Sequence, residues 1–157
     1  MRIAFLLPIV PAAMFAAAPA AAQNVTANPQ QIAATMTSAG YKAELTKDPT
    51  GDPAIKSEAA GNPFWVLFYN CTDHRNCSTI EFHIAYATKT KPPLTLINEW
   101  NRSHRFARAY TDDVADPVLQ MDVDLDKGGI STALLKDHLE VWTTLVGQFQ
   151  KQLGPTN

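Results

Sequence analysis

Residues 64–69 read Phe-Trp-Val-Leu-Phe-Tyr, six apolar or aromatic side chains in succession. A run this short, bounded by Pro63 before it and a polar segment after it, predicts a strand near the middle of a sheet, covered on both faces. Beyond the polar segment 71–77, Thr79, Glu81, His83 and Ala85 alternate with Ile80, Phe82, Ile84 and Tyr86, which predicts a second strand with one drier face. Two such strands joined by a short polar loop form a hairpin, and the remaining chain has to supply the layers that bury it.

The flanking segments read as follows. Residues 28–39 predict a helix, with Asn28 as cap, Pro29 at the first helical position, Ile32 and Met36 one turn apart, and Gly40 as the stop. Residues 41–46 alternate as a strand. Asp48-Pro49-Thr50-Gly51-Asp52-Pro53 is a turn by composition. Residues 54–59 form a weaker strand and Gly61-Asn62-Pro63 a second turn. Past Pro92-Pro93, a short helix fits 94–104, with Leu96, Ile97 and Trp100 on one side. Residues 106–110 and 118–125 predict two strands joined by an acidic turn and closed by Gly128-Gly129. Residues 131–153 carry the clearest helical period: Leu134, His138, Val141, Trp142, Leu145, Phe149 and Leu153, with Ser131 as cap and Ile130 placed to staple against Leu135. The order α-β-β-β-β-α-β-β-α predicts an α+β fold: an antiparallel or mixed twisted sheet of about five to six strands with helices packed on it.

The beginning of the chain reads differently. Met1-Arg2, an apolar run over residues 3–10, a Pro- and Ala-rich stretch and Ala20-Ala21-Ala22 have the pattern of a secretory signal cleaved after Ala22. This leaves a single domain over residues 23–157. A membrane anchor needs roughly 20 continuous apolar residues, and Pro8, Pro11 and Pro19 interrupt this stretch. No membrane span is expected after cleavage.

An exported address changes the reading of Cys71-Thr72-Asp73-His74-Arg75-Asn76-Cys77. In an oxidising compartment the two thiols predict a disulfide across the hairpin loop. So short a loop gives about 2 kcal/mol of unfolded-state restriction, which pins a local shape. The alternative is a metal site using Cys71, His74 and Cys77, with His83 as the nearby fourth candidate, but a structural zinc site wants four ligands.

Charge and motifs narrow the chemistry further. The formal net charge of -2 provides no global positive field, so nucleic acid is not an expected partner. The run Asp122-Val123-Asp124-Leu125-Asp126 opens like a calcium loop, but Lys127 stands where Gly is required and Ala133 where the bidentate Glu belongs. It reads better as a strand with Met121, Val123 and Leu125 inward and the carboxylates outward. None of His74, His83, His104 and His138 lies in a G-x-S-x-G or H-E-x-x-H motif. No enzyme, cofactor or metal is therefore expected. Arg102, His104, Arg105, Arg108, Lys89 and Lys91 form a basic zone, which is a solvated face or a dock for an acidic partner.

Several of these segments together resemble one family. Gly40-Tyr41, the turn 48–53, residues 64–71, Ile97-Asn98-Glu99-Trp100-Asn101-Arg102, then Arg105-Phe106-Ala107-Arg108-Ala109-Tyr110, and residues 121–125 with Gly128-Gly129-Ile130 resemble the YbjN family of bacterial sensory transduction regulators. The resemblance covers about residues 29–152. It implies a fold like that of type III secretion chaperones, a bacterial source and, with the signal, a periplasmic location. It brings no established catalytic residues.

The expected function is a non-enzymatic, chaperone-like protein-interaction module, with a protein or peptide partner and a homodimer as a further option. Trp65, Tyr69, Asn98, Trp100, Asn101, Arg102, Arg105 and Arg108 are its candidate binding surface. Within that set, Trp100 reads first as a side chain filling the gap between helix and sheet, while Asn98, Asn101 and Arg102 fit structural and binding roles alike. The alternative is a small-molecule sensor in which Phe64, Trp65, Phe68, Tyr69 and Trp100 line an apolar pocket.

Overall fold

The computed structural model describes residues 24–154. The expected signal segment, residues 1–22, lies outside them. The elements are β1 (Asn24–Val25), α1 (Pro29–Ser38), β2 (Glu44–Lys47), β3 (Pro53–Ala59), β4 (Asn62–Tyr69), β5 (Thr79–Ala85), α2 (Leu94–Ser103), β6 (Arg108–Thr111), β7 (Pro117–Asp124), β8 (Ile130–Ser131) and α3 (Thr132–Leu153). Six strands form one sheet in the order β2-β3-β4-β5-β7-β6, antiparallel at every pairing. The fold is α+β as expected, and the sheet is antiparallel, not mixed. A separate pair, β1 with β8, had no signal in the sequence, because two residues leave no alternation to read.

The helix ends follow the side chains available to cap them. Asn28 Oδ1 accepts from the backbone N–H of Gln30 and Gln31 at 3.0 Å each, and Ser131 Oγ accepts from that of Leu134 at 3.1 Å. The inward stripe of α3 is Leu135, Leu139, Trp142, Leu145, Val146 and Phe149. Leu134, expected on that stripe, is instead 42% exposed. Trp142, Leu145 and Phe149 face inward as expected, and Leu135, Leu139 and Val146 complete the buried stripe.

There Trp142 meets Phe64 of β4 and Phe82 of β5, with ring centroids 5.8 Å away in both cases. Trp100 of α2 packs edge-on against Phe149 of α3 at 4.9 Å. The Tyr41 hydroxyl after α1 donates to the Leu139 carbonyl at 3.1 Å. All three helices thus gather on one side of the sheet.

One expectation is corrected by this layering. β4 is not covered on both faces: Phe64, Val66 and Phe68 are buried, whereas Trp65 and Leu67 are half-buried and Tyr69 is 41% exposed. Successive strand side chains point to opposite faces, so an apolar run supplies a second apolar face whether or not anything covers it.

Cys71 and Cys77 are joined in a disulfide, which removes both thiolates from any metal set. His74 Nδ1 donates to Asp52 Oδ1 at 2.8 Å, linking this loop to the β2–β3 turn. That turn is held by Asp48 Oδ1, which accepts from the backbone N–H of Thr50 and of Asp52 at 2.9 Å each.

The β7–β8 turn contains Gly128 and Gly129, both with positive φ. A Cβ would meet open space at Gly128 but the Val25 carbonyl of β1 at Gly129. Gly128→Ala is expected to cost about 1–2 kcal/mol of left-handed strain. Gly129→Ala should lower the melting temperature distinctly more in the same thermal-unfolding experiment, since it also separates β1 from β8.

Candidate functional site

The side of the sheet opposite the helices is built by the strand register. One row of residues runs Lys56, Trp65, His83, Gln120, Arg108 across β3, β4, β5, β7 and β6. The next runs Ala54, Leu67, Glu81, Asp122. Two depressions lie on this face and share His83. The larger, of about 660 Å³, is lined by Tyr69, Glu81, His83, Tyr110 and Gln120 with Arg108 and Asp122. The smaller, of about 510 Å³, is lined by Trp65, Leu67 and His83 together with Lys47, Asp48 and Pro49.

A carboxylate forms the floor of the larger depression. Glu81 is only 5% exposed although it belongs to the uncovered face. Its Oε2 accepts from Gln120 Nε2 at 2.7 Å, and its Oε1 lies 3.1 Å from His83 Nδ1. Asp122 stands beside it on β7, with Arg108 Nη2 at 3.6 Å. Burial, then the negative charge of Glu81, raises the Asp122 carboxyl above its ordinary value, with Arg108 opposing. Burial, then the charges of Glu81 and Asp122, pushes the Tyr69 phenol up to about 12. Burial and Glu81 likewise raise Tyr110. The result is a negative floor under a rim of two tyrosines, suited to holding a cation or a hydrogen-bond donor.

The structure separates the sequence-derived candidates. Trp65, Tyr69 and Arg108 belong to this open face. The candidates of α2 pack differently. Trp100 is completely buried, its Nε1 donating to the Ala107 carbonyl at 3.2 Å and its ring stacked on His104 at 3.7 Å. Asn101 clasps β6: its Nδ2 donates to the Ala109 carbonyl at 2.9 Å, and its Oδ1 accepts from the Ala109 N–H at 2.8 Å. Arg102 is exposed and paired with Glu99 at 2.6 Å, Asn98 is exposed, and Arg105 lies over the Phe106 ring at 5.8 Å.

The five-aromatic pocket does not form. Phe64, Phe68 and Trp100 enter the core, while Trp65 and Tyr69 point to the other face by strand alternation. Glu81, Tyr110 and Gln120 were not among the candidates, and His83 and Asp122 were weighed only for metal or catalytic sites. Their signal was available: charged or amide side chains facing one way on strands that are otherwise apolar.

Two expectations follow from this geometry. Asn101→Ala strands two backbone groups of Ala109 and should cost about 1–3 kcal/mol, whereas Arg102→Ala should leave the melting temperature unchanged. The second concerns pH. Because the fold favours protonated Asp122, its share of stability is whole below the ordinary value of 3.8 and is lost as pH rises through the elevated folded value. Asp122→Asn should therefore raise the melting temperature at neutral pH, and the gain should vanish below pH 3.8.

Comparison with known proteins agrees with the extent of the fold. No curated protein matches the chain. The model of the YbjN family, described as "putative bacterial sensory transduction regulator", matches residues 28–155, from the cap of α1 to just past α3. The chain belongs to the YbjN family.

Proposed function

We propose that this chain is a non-enzymatic regulatory module of the periplasm that holds a protein or peptide partner on its open sheet face, in the manner of a chaperone. The observation that carries the reading is the uncovered face itself. Trp65, Leu67 and Tyr69 sit on a central strand, yet all three helices pack on the other side. An uncovered face on which Trp65, Leu67 and Tyr69 stand among charged and polar groups has the make-up of an interaction surface. Family membership supports a regulatory role, and regulators act through partners.

Export is supported by two features. Residues 1–22 have the signal pattern, and Cys71–Cys77 is the sort of local disulfide that persists in an oxidising compartment. Sensing of a small molecule is the second reading. It is favoured by the volume of the larger depression, about 660 Å³, which falls within the size range of ligand pockets.

The test is native mass spectrometry of the tagged protein captured without detergent from its own periplasmic extract, beside a Trp65→Ser, Leu67→Ser double variant. A protein adduct present with the wild type and absent from an equally stable variant is the expected result. An adduct retained by the variant, or a small molecule in its place, would overturn the proposal. The intact mass also reports whether residues 1–22 have been removed.

A further inference from the structure

We propose that the two depressions together form a receptor for a partner segment bearing a Lys or Arg side chain, seated over Glu81 and Asp122, and a large apolar side chain, seated against Trp65 and Leu67. The inference rests on the open face being the docking surface and names the chemistry of its occupant.

Charge complementarity selects the cation. The larger depression presents two carboxylates, Glu81 and Asp122, against one permanent cation, Arg108, with the His83 imidazole 3.1 Å from Glu81. Arg108 is a loose partner: it lies 3.6 Å from Asp122, and its side chain is 64% exposed, so an incoming cation can displace it toward solvent. Glu81 receives one bond on each oxygen, from Gln120 and His83, and a carboxylate oxygen has room for a second. Tyr69 and Tyr110 offer ring faces at the rim, which attract ammonium and guanidinium groups. An anionic side chain would meet Glu81 and Asp122 directly. A purely apolar one would bury Glu81 further without neutralising it, which is unfavourable. Burial first, and the charge of Glu81 second, raise Asp122, Tyr69 and Tyr110 around this floor.

The second half of the occupant follows from the spacing. The two depressions adjoin at His83, and in one register row Leu67 lies one strand spacing from Glu81 and two from Asp122, about 5 and 10 Å. An extended segment turns every second side chain to the same face, about 7 Å apart, so the cationic and the apolar side chain belong two residues apart. Pro49, Trp65 and Leu67 provide the apolar seat, and the His74–Asp52 bond holds the turn that carries Pro49 beside the sheet. A free small cation would use one depression only, so the pairing of the two points to a side chain carried on a protein segment.

The probes are three blocked hexapeptides, Ala-Arg-Ala-Leu-Ala-Ala and its versions with Glu or Ala in place of Arg, titrated into isotope-labelled protein and followed by backbone amide shifts. The Arg peptide is expected to move the amides around Tyr69, Glu81, Tyr110 and Asp122 to saturation, with the Glu peptide inert. Glu81→Gln should weaken the Arg peptide by about tenfold or more. Should Glu81→Gln not fold, Asp122→Asn at the more exposed carboxylate provides the same comparison. Equal binding of the three peptides would overturn the cation receptor while leaving the docking surface standing. Shifts elsewhere, or none, would overturn the receptor, and the Trp65, Leu67 variant then decides the docking surface separately. Arginine amide binding as well as the Arg peptide would overturn the paired-depression occupant.

Discussion

The meeting of Phe64, Phe82 and Trp142 organises this molecule. Phe64 and Phe82 come from the two central strands, and Trp142 lies midway along the longest helix, with centroid separations of 5.8–6.1 Å among the three rings. Aromatic side chains of this size contribute more buried area than any other residues, so their contact decides which face of the sheet receives α3. α1 and α2 then pack beside α3, and Trp100 and Phe149 extend the same layer. The commitment to packing here is strong enough that the indole N–H of Trp142 stays buried without a hydrogen-bond partner among the described residues, a loss worth about 1–3 kcal/mol on its own.

With α1, α2 and α3 on one side, the described residues leave the other side of the six-stranded sheet to water. The side chains there show how the protein tolerates that exposure. Polar groups are interleaved with the aromatics, and the most buried of them, Glu81 and Gln120, satisfy each other across β5 and β7 at 2.7 Å. Lys56 covers the Trp65 ring at 5.1 Å. A face that is half apolar and half charged resists nonspecific stacking yet retains the means to recognise a partner.

The loops that frame this face are fixed by short-range chemistry. The disulfide shapes the β4–β5 loop, His74 ties that loop to Asp52, and Asp48 closes the β2–β3 turn from within. Pro49 and Asp48 line the smaller depression, so constraints that are local in sequence set the wall of a surface that is not.

The helix caps at Asn28 and Ser131, the 48–53 turn, the paired cysteines and the inward set Met121, Val123 and Leu125 were legible in the residues, because each depends on neighbours within a few positions or on a strand's two-residue period. The family resemblance was legible as well, since it rests on runs of adjacent residues. The inward face of α3 was legible at Trp142, Leu145 and Phe149 but not in its first turn, where Leu135 and not Leu134 meets the core. Nor was the open side of β4: the sequence by itself determined that both faces of this strand are apolar, while tertiary packing decided that one of them stays uncovered. Glu81, Asp122, Tyr69 and Tyr110 became neighbours for the same reason, through a register in which β7 lies between β5 and β6, a pairing of distant strands that no local pattern encodes.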